Sequence, residues 1–130
     1  MTTNNELVVS ARDAEALASV LGDRHLAVRF ESETDALAEL LMEARMVPHE
    51  DLPRNRVAMN SRVTYREADG PERTVTIVHP AAADAGQLRI SVLSPVARAL
   101  LGRRPGSSVN ASVPGSRGIT LHILEVERPQ

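Results

Sequence analysis

The apolar residues of this chain change their period once, and that change constrains the fold more than any other feature. Before residue 48 they recur every three or four positions: Ala14, Leu17, Val20 and Leu21 form one stripe, and Leu37, Leu40, Leu41, Ala44 and Val47 a second. That spacing lines one side of a helix. After residue 56 the period falls to two, in the runs 57–66, 73–79 and 119–127. Residues two apart share one face of a strand. Between the regimes lies PHEDLPRNR, residues 48–56, polar and with two prolines, which reads as a linker. The organisation expected is a helical arm over 1–47, the linker over 48–56 and a β-rich domain over 57–130.

Local signals place the ends of these elements. Ser10-Ala11-Arg12-Asp13 has the form of a capping box and starts a helix that ends near Gly22. Ser32-Glu33-Thr34-Asp35 starts a second, which Pro48 stops. Two helices of roughly 11–14 residues, joined by a loop of about ten over 22–32, fold back as an antiparallel hairpin, because neither buries its stripe alone. At 1.5 Å per residue such a coiled-coil arm is only about 15–20 Å long. In the β-rich part, Asp69-Gly70-Pro71 turns the first strand into the second, and a third strand is expected near 88–93. Ser94 as N-cap and Pro95 at the first helical position begin a short helix ending at Gly102. Strands near 108–113 and 119–127 are joined through Pro114-Gly115. The fold class is α+β.

Composition removes several functions. A chain of 130 residues supports one modest core. It has no cysteine, which excludes disulfides and thiolate catalysis, and its four histidines, at 25, 49, 79 and 122, are scattered. Phe30 and Tyr65 are its only aromatic residues, so a ring-lined pocket is not expected. No apolar run reaches the length of a membrane span and no secretion leader is evident; a soluble, cytoplasmic protein is expected. The net charge of −2 conceals a split: residues 1–51 hold eleven acids against four arginines, and residues 52–130 six against eleven. A dipolar chain of this kind is poorly suited to nonspecific nucleic-acid binding through its acidic half but can orient in the field of a large charged partner, and no direct sequence-specific DNA binding is expected.

Four groups of residues bear on chemistry. Glu31, Glu33 and Asp35 crowd the start of the second helix, where a cation site competes with the commoner meaning, a response to the helix dipole. Ser94 as a nucleophile with His79 or His122 as its base competes with its duty as an N-cap. Gly102-Arg103-Arg104-Pro105-Gly106 is a basic turn able to touch phosphate, but no nucleotide-loop spacing supports more than a solvated turn. Met59-Asn60-Ser61 reads equally as a docking surface or an ordinary strand start. No cofactor is implied.

The segment QLRISVLSPVARALLG, residues 87–102, followed by Pro114-Gly115 and the terminal ILEVE strand, resembles the C-terminal domain of the Gre transcript-cleavage factors, the GreA/GreB transcription elongation factor family. MVPHEDLPRNRVAMNSRVTYRE and VHPAAADAGQL extend the resemblance along the chain, toward short-armed members of that family linked to nucleoside diphosphate kinase levels. MNSRV, HPA, SPVARALLG and PG at consistent spacing make a specific combination. The resemblance implies an FKBP-like antiparallel β-domain with one short helix, an N-terminal coiled coil, and binding to RNA polymerase near its secondary channel. Gre factors carry paired acids at the tip of a long arm, where they help to hold a catalytic magnesium ion of the polymerase. Here the arm is short, and Asp23 and Glu31 flank Arg24 and Arg29 in place of an acid pair one turn apart.

The function expected is therefore a non-enzymatic transcription regulator that docks on RNA polymerase and does not stimulate transcript cleavage. Ser94, Pro95, Val96 and Arg98, with Arg103 and Arg104 adjacent, are the expected docking residues, Arg98 at an exposed helical position. Asp23, Arg24, Glu31, Glu33 and Asp35 form the arm tip. Direct binding to nucleoside diphosphate kinase and peptidyl-prolyl isomerase activity are the competing readings.

Overall fold

The computed structural model describes residues 6–68, 70–112 and 118–129. The Pro114-Gly115 turn lies outside the described residues. The chain opens with strand β1 (Val8–Ser10) and helix α1 (Ala11–Leu21), where the Ser10 hydroxyl accepts the Asp13 backbone N–H at 3.0 Å. Ser10 caps the helix as expected, but the Asp13 carboxylate that would close the box turns to the Met59 N–H instead, and α1 ends at Gly22.

The ten-residue loop expected next contains instead a six-residue helix, α2 (Arg24–Arg29). Asp23 caps it by accepting the Leu26 N–H at 3.2 Å, and Leu26 packs against the core. Helix α3 (Glu31–Glu43) then starts earlier than the Ser32-to-Asp35 signal predicts, with Phe30 at the N-cap and no side-chain cap. Thr34, the residue inside that signal, turns its hydroxyl back to the Phe30 and Glu31 carbonyls, both at 3.0 Å. The helix also stops short of Val47. Strand β2 (Arg45–Val47) pairs in parallel with β1, because β1 offers a backbone edge that a further helical turn would leave unpaired.

The two stripes meet as expected, with Leu17, Val20 and Leu37 fully buried and Leu21, Leu40 and Leu41 partly buried against them. Yet they do not close on each other alone. Val57, Met59, Val92, Leu93, Ala97, Leu100 and Leu101 belong to the same apolar cluster, so the helices share one core with the β-rich half. Polar ties reinforce this. Met59 N–H donates to the buried Asp13 carboxylate at 2.9 Å, and buried Arg56 donates to the carbonyls of Glu6 at 2.6 Å and Gly102 at 3.0 Å. Segment 48–56 is accordingly structured, with a helical turn at His49–Asp51 and Leu52 buried against Val8 and Ala58.

The β-rich half is a five-stranded sheet of order β5-β4-β3-β7-β6, from β3 (Arg62–Glu67), β4 (Glu72–Val78), β5 (Arg89–Ser91), β6 (Ser108–Ala111) and β7 (Ile119–Glu127). It is not wholly antiparallel: β5 runs parallel to β4, because the exposed loop 79–88 carries the chain back before the third strand forms. Val63, Tyr65, Val75, Ile77, Leu121 and Ile123 point into the core, and Arg62, Thr64 and Arg66 alternate outward. Helix α4 (Pro95–Leu100) covers the inner face and ends toward Gly102. Gly102 has a φ of 79°, and a Cβ there would run into the Leu7 side chain. It gives its N–H to the Val57 carbonyl and receives the Val8 N–H, so three segments cross at one glycine.

Candidate functional site

A groove of about 490 Å³ opens between the helices and the sheet half. One wall is helical: Asp23 at the α2 N-cap, Leu26 and Arg29 on α2, Phe30 at the joint, and Glu33 in the first turn of α3. The other wall comes from the loop after β4, with His79, Pro80, Ala81 and Ala83, and from the α4 entry, with Ser91, Leu93, Ser94 and Pro95. Members of two residue groups that the sequence kept apart, the arm tip and the docking turn, thus face each other across one cleft.

The α4 wall is rigid for local reasons. Ser94 hydroxyl accepts the Ala97 N–H at 3.3 Å and donates to the Ser91 carbonyl at 2.8 Å, while the Ser91 hydroxyl accepts the Leu93 N–H at 3.0 Å. Pro95 pre-sets the first helical turn. On the loop wall, His79 Nδ1 accepts the Ala81 N–H at 3.0 Å. The Ser94 hydroxyl gives its proton to the Ser91 carbonyl and not to a histidine, so the Ser94–His79 pairing is not supported, although both residues line the groove. His122 is elsewhere, bonded to Ser108 on the β6–β7 pair at 2.8 Å. On the helical wall the Arg29 guanidinium lies 5.4 Å from the centroid of the partly buried Phe30 ring.

The remaining expected residues lie outside this cleft. Val96 is partly buried against the core. Arg98 corrects the expectation of an exposed position: it is partly buried, and its Nε lies away from solvent without a hydrogen-bond partner among the described residues. Burial pulls its pKa below the usual arginine value, and the nearby Glu33 carboxylate opposes that shift. The cause is the packing of α3 on α4, which sequence spacing does not reveal. Arg103 and Arg104 follow the C-terminal end of α4; burial lowers the pKa of Arg103, the neighbouring Arg56 charge lowers it further, and Glu43 opposes both. Their turn is no phosphate cradle, because the N–H groups of Gly102, Arg103 and Gly106 bond to the carbonyls of Val57, Leu100 and Ile123.

Arg24, Glu31 and Asp35 are exposed away from the groove lining. Among the described residues no three acidic or histidine side chains are close enough to hold a metal, so the cation reading of Glu31, Glu33 and Asp35 has no geometry behind it. In Met59-Asn60-Ser61 only Asn60 is exposed; Met59 and Ser61 are buried. Sequence reasoning missed Leu26, Arg29, Phe30, Pro80, Ala81 and Ala83 as site residues and weighed His79 only as a base. The signals available were the scarcity of aromatics, which made Phe30 conspicuous, and the HPA motif itself.

A five-stranded sheet with a capped α4 turn on its inner face and a short helical unit against it defines a small α+β fold. Residues 52–128 match the family described as transcription elongation factor, GreA/GreB, C-terminal, and the chain belongs to that family. It is 42% identical to the Regulator of nucleoside diphosphate kinase of Escherichia coli (strain K12) over 94 residues, 72% of this chain and 69% of that protein. It is 29% identical to the transcription elongation factor GreA of Oenococcus oeni over 75% of this chain and 61% of that protein. Among solved structures, the prokaryotic transcription elongation factor GreA/GreB from Nitrosomonas europaea superposes with a TM-score of 0.73 at 32% identity, covering 94% of this chain and 99% of that one. No helix among the described residues is long and apolar enough to cross a membrane.

Proposed function

We propose that this chain is a transcription regulator that binds RNA polymerase near its secondary channel through the α4 turn and does not itself catalyse or stimulate transcript cleavage. The observation that carries the reading is the Ser94-Pro95 turn. It lies within the family-matching segment, is locked by three local hydrogen bonds, and still presents its surface at a groove. A site held rigid before binding loses little conformational entropy on association. Residues 57–130 then act as the docking unit, read as FKBP-like, and residues 1–47 as a short coiled-coil arm lying against it.

The tip supports the absence of cleavage stimulation. Asp23 is occupied as the α2 cap, and Arg24 and Arg29 stand between it and Glu31, so no acid pair is presented for a polymerase-bound metal. The test is binding of the purified chain to core RNA polymerase, competition against a long-armed GreA, and cleavage of a backtracked complex with magnesium. Binding and competition with cleavage at the polymerase's own rate are expected. Cleavage above that rate would sink the reading. The name of the Escherichia coli relative favours a second reading, a direct partner of nucleoside diphosphate kinase. Co-purification with tagged kinase in the absence of polymerase separates the two.

A further inference from the structure

Strand β2 is half of a two-stranded parallel sheet, and its second edge is open: among the described residues no strand pairs with it except β1. The Arg45 N–H goes to the Leu7 carbonyl, and the register sets Val8 beside Arg45, Val9 beside Met46 and Ser10 beside Val47. In a parallel ladder alternate residues of a strand bond to a given neighbour, so Arg45 and Val47 turn their backbone groups to β1 and Met46 turns its N–H and C=O away from it. Edges of this kind are commonly guarded by a lysine or a proline within the strand. The middle of β2 is instead a methionine, 59% exposed, and the charge of its neighbour Arg45 is drawn to Glu6 at 3.6 Å.

What fits this edge is a second copy of the same chain. One residue that offers both an N–H and a C=O is complementary to itself, since about a two-fold axis each Met46 N–H meets the Met46 carbonyl of the other copy. The end of α3 at Ala44 and the missing N–H of Pro48 keep the ladder from extending either way, which fixes the register on Met46. The axis of such a pair stands perpendicular to the joined sheet, so both copies of α1 lie antiparallel on one face. On that face Met46 borders a groove of about 600 Å³ with Ala14 and Ala18, small enough to let the helices approach, and with Arg12, Glu15 and Glu50. A groove holding both signs of charge suits an occupant that brings both, and the antiparallel arrangement sets the exposed Arg12 of one helix beside the exposed Glu15 of the other. We propose that β2 is a self-pairing edge through which two copies of this chain join β1-β2-β2-β1 into one four-stranded sheet. The contact is small, so the dimer forms and dissociates with concentration. The inference does not depend on polymerase binding.

The test is sedimentation equilibrium of the full-length chain from low micromolar to sub-millimolar concentration, with a melting curve for every variant. The mass should rise from that of the monomer toward the dimer. Met46→Lys sets two like charges face to face at an already exposed position, so it should keep the melting temperature of the dilute protein and weaken dimerisation by about tenfold or more. The chain has no cysteine, so Met46→Cys reports on the axis alone. A hydrogen-bonded antiparallel pair holds its Cα atoms about 5.5 Å apart, within disulfide reach, and diamide should cross-link this variant at least about tenfold faster than Glu72→Cys, an equally exposed position on β4. Glu15→Arg should weaken the dimer several-fold at low salt, with the gap closing at high salt, and Arg12→Glu added to it should restore the wild-type value. A chain that stays monomeric at every concentration, with Met46→Cys no faster to cross-link than Glu72→Cys, overturns the proposal. A dimer that survives Met46→Lys unchanged lies on another surface and overturns it equally. Glu15→Arg without effect at either salt overturns the contact between the two α1 helices.

Discussion

Leu37→Ala tests whether the helices and the sheet are one thermodynamic unit. Leu37 is fully buried, in a cluster that joins α1 and α3 to Val57, Val92 and Leu100. Removing three carbons forfeits about 2.4 kcal/mol of transfer free energy at roughly 0.8 kcal/mol each. The cavity left behind adds to this, and buried Leu→Ala changes as a class cost about 2.7–5 kcal/mol. For a chain of this length 1 kcal/mol moves the melting temperature by about 3–5 °C, so about 3 kcal/mol lowers it by roughly 10–15 °C. Helicity at 222 nm reports on the helices, and Tyr65, the only tyrosine and buried on β3, reports on the sheet through its near-ultraviolet signal. Both should melt together, before and after the substitution, because they share a core. A Tyr65 transition that stays in place while the helical signal melts early would refute the shared core and restore a free-standing arm. Leu40→Ala supplies the control: Leu40 is only partly buried, and its truncation should cost about 1–2 kcal/mol.

Burial raises the Asp13 pKa above its ordinary 3.8, against the opposing Met59 hydrogen bond and the charges of Arg128, His49 and Arg12. The folded state therefore takes up a proton as pH falls through the raised value, and this contribution to stability, complete below 3.8, is lost as pH rises. Asp13→Asn keeps an acceptor for Met59, so its stability relative to wild type should decline from pH 7 to pH 4 in urea titrations; a constant difference would show that Asp13 does not titrate abnormally. Gly102→Ala places a Cβ at positive φ against Leu7 and should cost about 2–4 kcal/mol by the same titration, with a loss under 0.5 kcal/mol pointing to slack at that crossing. Arg98→Glu should lower the melting temperature by about 3–6 °C, because it sets a half-buried acid beside Glu33, whereas Arg98→Met removes a poorly partnered charge and should leave the temperature unchanged or raise it. Equal effects of the two would mean that Arg98 is solvated.

The features legible in the sequence are those decided within a few residues of chain. Ser10 and Asp13 are three apart, as are Ser94 and Ala97, and each pair closes a cap whose geometry depends on nothing distant. Strand alternation from Val63 to Tyr65 and from Leu121 to Ile123 is equally local, since a strand presents every second residue to one face. These signals delimited α1, α4 and most of the sheet, and they placed Ser94 and Pro95 at the start of α4.

What the tertiary structure decided depends on groups far apart in the chain. β1 captures Arg45–Val47 from the end of a helical pattern because an unpaired strand edge costs more than a lost turn. Arg56 is buried because the Glu6 and Gly102 carbonyls, 50 and 46 residues away, wait for a donor. Phe30 rather than Ser32 begins α3, and α2 forms at all, because Leu26 and Phe30 find the shared core. The groove itself belongs to this second kind: its walls lie about 50–70 residues apart along the chain, and no local preference at Asp23 or at Pro95 encodes the other. Short-range hydrogen bonds are encoded by neighbours, but burial is a property of whatever surface the rest of the chain brings, and only the folded chain specifies that surface.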